Sequence, residues 1–453
     1  MVRRRLLWPI IGGACVVLLL IGCSTSPETV TLDSTPSETP EARSEVASPT
    51  PAPTESDVRP PLDLPAPLYV LSDWNGLPQV WQLATDGSFF PFTDVYHGVQ
   101  AFDIAPGGEV LYLMSNGELW LTFADQTGAK HRRLYLSGGA VRTFEVGAGG
   151  RIVYVSEEGA LWADNLLGIL PQWLVGRPPD GAEISGLAIS PDGAQVAYVV
   201  QTPDADCSTS GFSEADGIWV ISTEGGTPRQ LVRSRCQGGE GGSGSPVAFR
   251  SVPIWSPDSS RLLVPTSVAE GTYYGVLDLA EGTLRYPDPP TLLSGSAVWS
   301  RDGQAIIGTD SRFLAPDNLL WVDVATLEAS LLLDGRALGT VAVEPHQMAD
   351  GRIAFWMAEF DADDPTGLTY DLYLGTLSEG SFSFEQAVAT ELPRPWNVVW
   401  SDDESAAAME VRQGANGEQV SGVALVSMTG QVTILEASRS PMWGPSISTQ
   451  GNR

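Results

Sequence analysis

Four cysteines and three histidines are the residues of this 453-residue chain best equipped for chemistry, and their spacing limits what they can do. Cys15 and Cys23 lie in or just after an apolar N-terminal run, which leaves Cys207 and Cys236 for the rest of the sequence. Two thiols in an oxidising compartment pair most simply as a disulfide. His97, His131 and His346 follow no metal-binding spacing such as H-E-x-x-H, so a triad or metal centre would need the fold to bring them together. His131, within Lys130-His-Arg-Arg133, is expected in a solvated turn at the outer edge of a sheet. Asp361, Asp363 and Asp364 place oxygen ligands at the short spacing of a Ca²⁺ loop, but the D-x-D-x-D-G pattern and its distal Glu are missing. An exposed acidic loop is therefore expected there, with no cofactor, Ca²⁺ being the one ion the spacing would suit. The Gly-rich run 238–244 has neither the Lys nor the following helix of a phosphate cradle and reads as a flexible loop. No G-x-S-x-G elbow presents a nucleophilic serine.

Charge narrows the partners further. Against 25 Lys+Arg stand 55 Asp+Glu, a formal charge of -30, and Lys130 is the sole lysine. A surface this acidic repels phosphate backbones and anionic headgroups, which excludes nucleic acid. With 43% hydrophobic residues the chain can bury a large core, while 48 Gly and 34 Pro favour many short strands over long helices.

At the N-terminus, Arg3, Arg4 and Arg5 precede an apolar run from Leu6 to Gly22, the order of a secretory signal. Its end, Leu20-Ile-Gly-Cys23, resembles the lipobox of bacterial lipoproteins. That resemblance implies cleavage before Cys23 and lipidation of Cys23, so residues 1–22 are expected to be a signal peptide and the protein to be held to a membrane by its N-terminal lipid. The alternative, an uncleaved anchor helix, has only 17 residues for the span and Pro9 inside them. Either way the remainder lies outside the cytoplasm, at the cell surface or on the periplasmic side. Residues 23–66, rich in Pro, Ser and Thr and free of aromatic residues, read as the lipidated Cys followed by a disordered linker.

Residues 67–453 repeat one pattern: an apolar run, a Ser-Pro-Asp-Gly-like turn, a second apolar run, a variable loop, a Trp-centred run, a Gly turn and a last run. The clearest copies are Leu187-Ala-Ile-Ser-Pro-Asp-Gly193, Ile254-Trp-Ser-Pro-Asp258 and Val298-Trp-Ser-Arg-Asp-Gly303. The residue at the Ser position falls at 105, 147, 190, 256, 300, 344, 401 and 444, steps of 42 to 44 broken by two longer ones of 66 and 57. This is the period of a four-stranded β-propeller blade. Residues 67–93 supply three outer strands with no inner strand, and Arg439-Ser-Pro-Met-Trp443 supplies an inner strand with nothing after it. Joining them gives an all-β propeller of eight four-stranded antiparallel blades closed by the C-terminal strand. Seven blades is the alternative, because Val341-Ala-Val-Glu344 is a degenerate copy.

These blades resemble the WD40-like (PD40) repeats of the TolB family. The resemblance implies that the innermost strand carries the aromatic residue before the turn, here Trp255, Trp299, Trp400 and Trp443. The chain departs from that family in lacking a preceding α/β domain and in exceeding six blades. Trp81, Trp120, Trp162, Trp219 and Trp321 recur at third-strand positions, so both Trp sets are expected to pack between blades and not to form a sugar platform.

Interruptions of the repeat point to a binding face. In a propeller the loops from second to third strand, and from fourth strand to the next blade, open on one face, and the Ser-Pro-Asp-Gly turns on the other. Long insertions fall on the first face: Thr202 to Asp216 with Cys207, Arg233 to Arg250 with Cys236, and Glu359 to Leu368. The residues expected to face a partner are Asp204, Asp206, Glu214, Asp216, Arg233, Arg235, Glu240, Asp361, Asp363 and Asp364. The four acidic residues beside Cys207 favour a cationic or metal-bridged contact. The functional expectation is an extracytoplasmic binding or scaffold module of the cell envelope, recognising an envelope protein or extracellular ligand without catalytic residues of its own. The alternative is a polysaccharide-acting enzyme, lyase or hydrolase, using the central channel, for which His97, His346 and carboxylates would have to meet there.

Overall fold

A computed structural model describes residues 64–445 apart from positions 74–75, 126–127, 135, 137–138, 168–170, 204, 206, 208–210, 238–244, 269–270, 288–295, 311–315, 365–366, 379–380, 385 and 414–418. Cys23 and the signal and linker segments up to residue 63 lie outside the described residues, as does the run 238–244. No helix among the described residues is long and apolar enough to cross a membrane.

The fold is a β-propeller of eight antiparallel blades, each built on a four-stranded path. In order, the inner strands of blades 1 to 8 are Ser438–Trp443, Val99–Ile104, Val141–Gly147, Glu183–Ile189, Ile254–Trp255, Ala297–Trp299, Thr340–Gln347 and Pro395–Trp400. The degenerate copy at 341–344 is thus a full inner strand, which excludes seven blades. Blade 7 carries a fifth strand, Ala389–Leu392, paired with the third strand beyond Ser381–Phe384. Ring closure is as expected: Leu68 pairs with Trp443, Tyr69 with Met442 and Ser72 with Ser438, and Gly444 N donates to Pro67 O at 2.8 Å. Leu64 and Ala66 are buried at the edge of this joint, so the last residues assigned to the linker belong to the globular unit.

Second strands such as Leu68–Ser72, Val110–Met114 and Ala305–Thr309 are buried along their whole length. A strand packed on both faces needs apolar residues at every position, which is why the sequence shows continuous runs there and not alternation. Each fully buried Val, Leu or Ile contributes about 1.5–3 kcal/mol.

The Ser-Pro-Asp-Gly turns share one hydrogen-bond scheme. Ser190 Oγ donates to Asp192 Oδ1 at 2.5 Å and accepts from Gln195 N at 2.9 Å, while Asp192 Oδ1 accepts from Ala194 N at 3.0 Å. Ser256, Ser300 and Ser401 repeat this with Asp258, Asp302 and Asp403. The hydroxyl donor holds Asp192, Asp258 and Asp302 below the usual carboxylate range. Gly193 and Gly303 take the positive φ that closes the turn, and Ser259 and Glu404 adopt it without being glycine. Between blades the indoles do more than fill space: Trp255 Nε1 donates to Ala188 O (2.9 Å), Trp299 Nε1 to Ile254 O (3.0 Å) and Trp443 Nε1 to Val399 O (3.1 Å). Each ties an inner strand to the blade before it.

Two inner-strand carboxylates make a similar tie in the opposite sense. Asp103 Oδ2 accepts from Val146 N at 3.0 Å and Glu145 Oε1 from Ile189 N at 3.2 Å. Glu145 borders a cavity of about 560 Å³ beside Ile189, Ser190, Asp402 and Trp443, at the turn-bearing end of the channel. Burial, with the Asp103 charge adding to it, lifts its carboxyl to about 7.

Candidate functional site

The two long insertions of blade 4 are joined. Cys207 and Cys236 form a disulfide, with Cα atoms 5.6 Å apart. Cys236 sits in a small hairpin of its own, Arg235–Gln237 against Ser245–Val247, outside the blade sheets. The hairpin continues into a bridge with blade 5, where Ala248 and Ser267 exchange backbone hydrogen bonds of 2.9 and 2.8 Å. Arg250 caps the assembly: its guanidinium donates to Ala205 O in the first insertion and lies 5.8 Å from the Phe212 ring centroid. A covalent link, a strand bridge and an arginine thus fix one loop on the other and both on blade 5.

Beneath the hairpin, blades 4 and 5 part to leave a cleft of about 840 Å³. This volume lies in the range of about 300–1,000 Å³ usual for ligand pockets. One wall is the outermost strand of blade 4, Arg229–Arg233, through Leu231, Val232 and Arg233; the other is blade 5, through Thr266, Tyr273, Leu284 and Tyr286. Arg235 and Phe249 close the top. Tyr286 Oη and Thr266 Oγ1 share a hydrogen bond of 2.8 Å. Burial raises the Tyr286 phenol above its ordinary value, opposed by that hydrogen bond and by the charge of Arg235. Leu284 and the Tyr286 ring fit beside the third strand because Gly275 has no side chain: a Cβ there would stand 2.7 Å from Leu284 Cδ1 and 2.8 Å from Tyr286 Cε1.

The expected face residues divide. Arg233 and Arg235 line the cleft. Asp216 does not face outward: it is buried, and its carboxylate accepts from Thr202 N (2.6 Å), Thr202 Oγ1 (3.0 Å) and Ser213 N (2.7 Å), holding the ends of the insertion together. Glu214 is exposed and lies 3.5 Å from Arg233. Asp204, Asp206 and Glu240 are outside the described residues. The described lining of the cleft holds two arginines and no carboxylate. Asp361, Asp363 and Asp364 are exposed on the blade 7 loop, where Asp361 accepts from Asp363 N (2.8 Å) and Asp364 from Gly367 N (3.0 Å). Among the described residues no group of three or more His, Cys, Asp or Glu side chains could hold a metal ion.

The histidines are separated by the topology. His97 is exposed in the loop entering blade 2, on the insertion face. His131 is exposed on the outermost strand of blade 2, a strand and not a turn, with Nδ1 2.8 Å from Thr122 Oγ1 and 3.1 Å from Tyr112 Oη. His346 lies toward the turn-bearing end of its inner strand, stacked on Trp400 at 5.0 Å, with Nε2 3.2 Å from Glu404 Oε1. Arg301 donates to the same oxygen at 2.6 Å, so this cluster ties blades 6, 7 and 8.

The sequence analysis did not single out Tyr273, Tyr286, Phe249 or Leu231, which line the cleft. The usable signal was Gly275 inside an otherwise bulky third strand, since a strand-interior glycine marks a close approach.

No family model matches the chain, and no curated protein matches it. Among solved structures, a eukaryotic initiation factor is 11% identical over 84% of this chain and 98% of that one, with a TM-score of 0.49. TolB from Acinetobacter baumannii is 17% identical over 78% of this chain and 90% of its own, with a TM-score of 0.35. An oligogalacturonate lyase in complex with manganese is 13% identical over 73% and 87%, with a TM-score of 0.44. The likeness to all three is one of fold, the propeller that the strand pairing above describes.

Proposed function

We propose that this chain is a lipid-anchored, extracytoplasmic binding module of the cell envelope whose partner engages the insertion face at the cleft between blades 4 and 5. The observation that carries the reading is the Cys207–Cys236 clasp. A propeller of this size has ample core without it, and the bridge ties together two loops that each border or support one ligand-sized cleft. Holding a binding surface in one shape before its partner arrives lowers the ordering cost of association. The disulfide also favours an oxidising compartment, in keeping with the Leu20-Ile-Gly-Cys23 order and anchoring through Cys23.

Two measurements test this. Fatty-acid probe labelling of whole cells should be lost in Cys23→Ala and kept in the native protein. A photo-crosslinking amino acid replacing Tyr273, in the cleft, should capture a partner on intact cells, whereas the same group replacing Glu281, on the turn-bearing face of blade 5, should not. Equal capture from both positions overturns the assignment of the face.

A further inference from the structure

We infer that the cleft between blades 4 and 5 takes an extended acidic peptide, one in which carboxylate side chains alternate with apolar ones. This rests on the binding reading above and adds the chemistry of the ligand. The first ground is charge. The chain carries 55 Asp+Glu against 25 Lys+Arg, yet the described lining of this cleft presents Arg233 and Arg235 and no carboxylate. Glu214 stands 3.5 Å from Arg233 as an exposed pair, and such pairs contribute little in water, so the guanidinium remains open to a better partner. Arg235 has no ion-pair partner among the described residues. Two arginines at one cleft of so acidic a protein match an anion by charge and, through their planar forks, a carboxylate by shape.

The second ground is the backbone. Arg229–Arg233 is the outermost strand of blade 4, its far edge unpaired in the sheet order, and Leu231 and Val232 of that strand form the cleft wall. A free strand edge recruits another extended chain through alternating N–H and C=O groups, which a polysaccharide does not have. The third ground is the apolar lining. Leu231, Leu284, Phe249, Tyr273 and Tyr286 offer a surface for every second side chain of such a strand, while the intervening ones reach Arg233 and Arg235.

Fluorescence polarisation with the full-length protein and three fluorescein-labelled peptides tests the inference: glutamate alternating with leucine, glutamine alternating with leucine, and glutamate alone. The Glu–Leu peptide should bind at least about tenfold tighter than either of the others, and its affinity should fall as salt rises from about 50 mM to about 500 mM. Arg235→Glu and Arg233→Glu should each weaken it by about tenfold or more, Arg235→Gln by less, and Glu214→Gln should leave it unchanged or tighter. Thermal melting of each variant separates lost binding from lost folding. Equal binding of the Gln–Leu peptide overturns the role of charge. Equal binding of the all-glutamate peptide, or competition by dextran sulfate at the same charge concentration, overturns the role of an apolar, strand-pairing ligand. If Tyr273 captures a partner on cells while no acidic peptide binds, the ligand class is wrong and the binding face stands; if neither occurs, both fall.

Discussion

Replacing Glu145 by Gln should stabilise the propeller at neutral and alkaline pH and leave it unchanged in acid. The carboxyl is lifted from an ordinary 4.5 to about 7, first by burial and then by repulsion from Asp103, against a single hydrogen bond from Ile189 N. Each unit is worth about 1.4 kcal/mol, so ionisation costs the folded state about 3 kcal/mol. Because the folded value lies above the unfolded one, the native protein sheds this cost as pH falls from about 7 to about 4.5 and bears it in full above about 7. Gln keeps the oxygen that accepts from Ile189 N and removes the charge. The variant should therefore gain about 2–3 kcal/mol at pH 8, near 4 °C in melting temperature for a unit of this size, and nothing at pH 4. Paired denaturant or thermal melts at half-unit pH steps give the difference directly, since all other groups titrate in both proteins. A difference that is flat across pH, or that grows toward acid, refutes the raised carboxyl and with it the dry, like-charged placement of Glu145 against Asp103.

Other outcomes follow from features already described. Removing residues 437–453 exposes the paired edge of Leu68–Ser72 and should lower the melting temperature sharply or cause aggregation; a truncated protein that melts like the whole would refute ring closure. Trp299→Phe keeps one aromatic ring but gives up the rest of the buried indole together with the 3.0 Å bond to Ile254 O, so it should cost about 2–4 kcal/mol in denaturant unfolding. Cys207→Ser with Cys236→Ser should leave global melting nearly unchanged while amide exchange accelerates at Arg235, Val247 and Ala248, since the bridge acts on the insertions. Unchanged exchange there would show that the strand bridge alone fixes the hairpin.

The blade count and the turn chemistry were legible because each depends on residues close in sequence and repeated several times: Ser190 and Asp192 meet across two positions, and the same pair recurs at 256, 300 and 401. The closure was legible because the repeat lacks an inner strand at one end and has a spare one at the other, although the pairing partners Leu68 and Trp443 are far apart in sequence. The disulfide was legible by elimination. The cleft was not, because its walls come from separate blades. Whether Tyr286 lines a core or a cavity depends on where the hairpin at 235–247 comes to rest, and local pattern carries no record of that. Asp216 misled for the same reason: its partner Thr202 lies 14 positions away across an insertion of irregular backbone.

Ring closure by the C-terminal strand also orders events during biogenesis. Leu68 and Trp443 pair across 375 positions, so blade 1 keeps an open edge until the chain as far as Trp443 is available to fold. Contacts of such separation are slow to form. Blades 4 and 5, by contrast, are built from neighbouring segments, and Cys207 can find Cys236 after only 29 residues. The clasped cleft can therefore form before the ring closes, while the inner strand of blade 1 sets when the closed ring is reached.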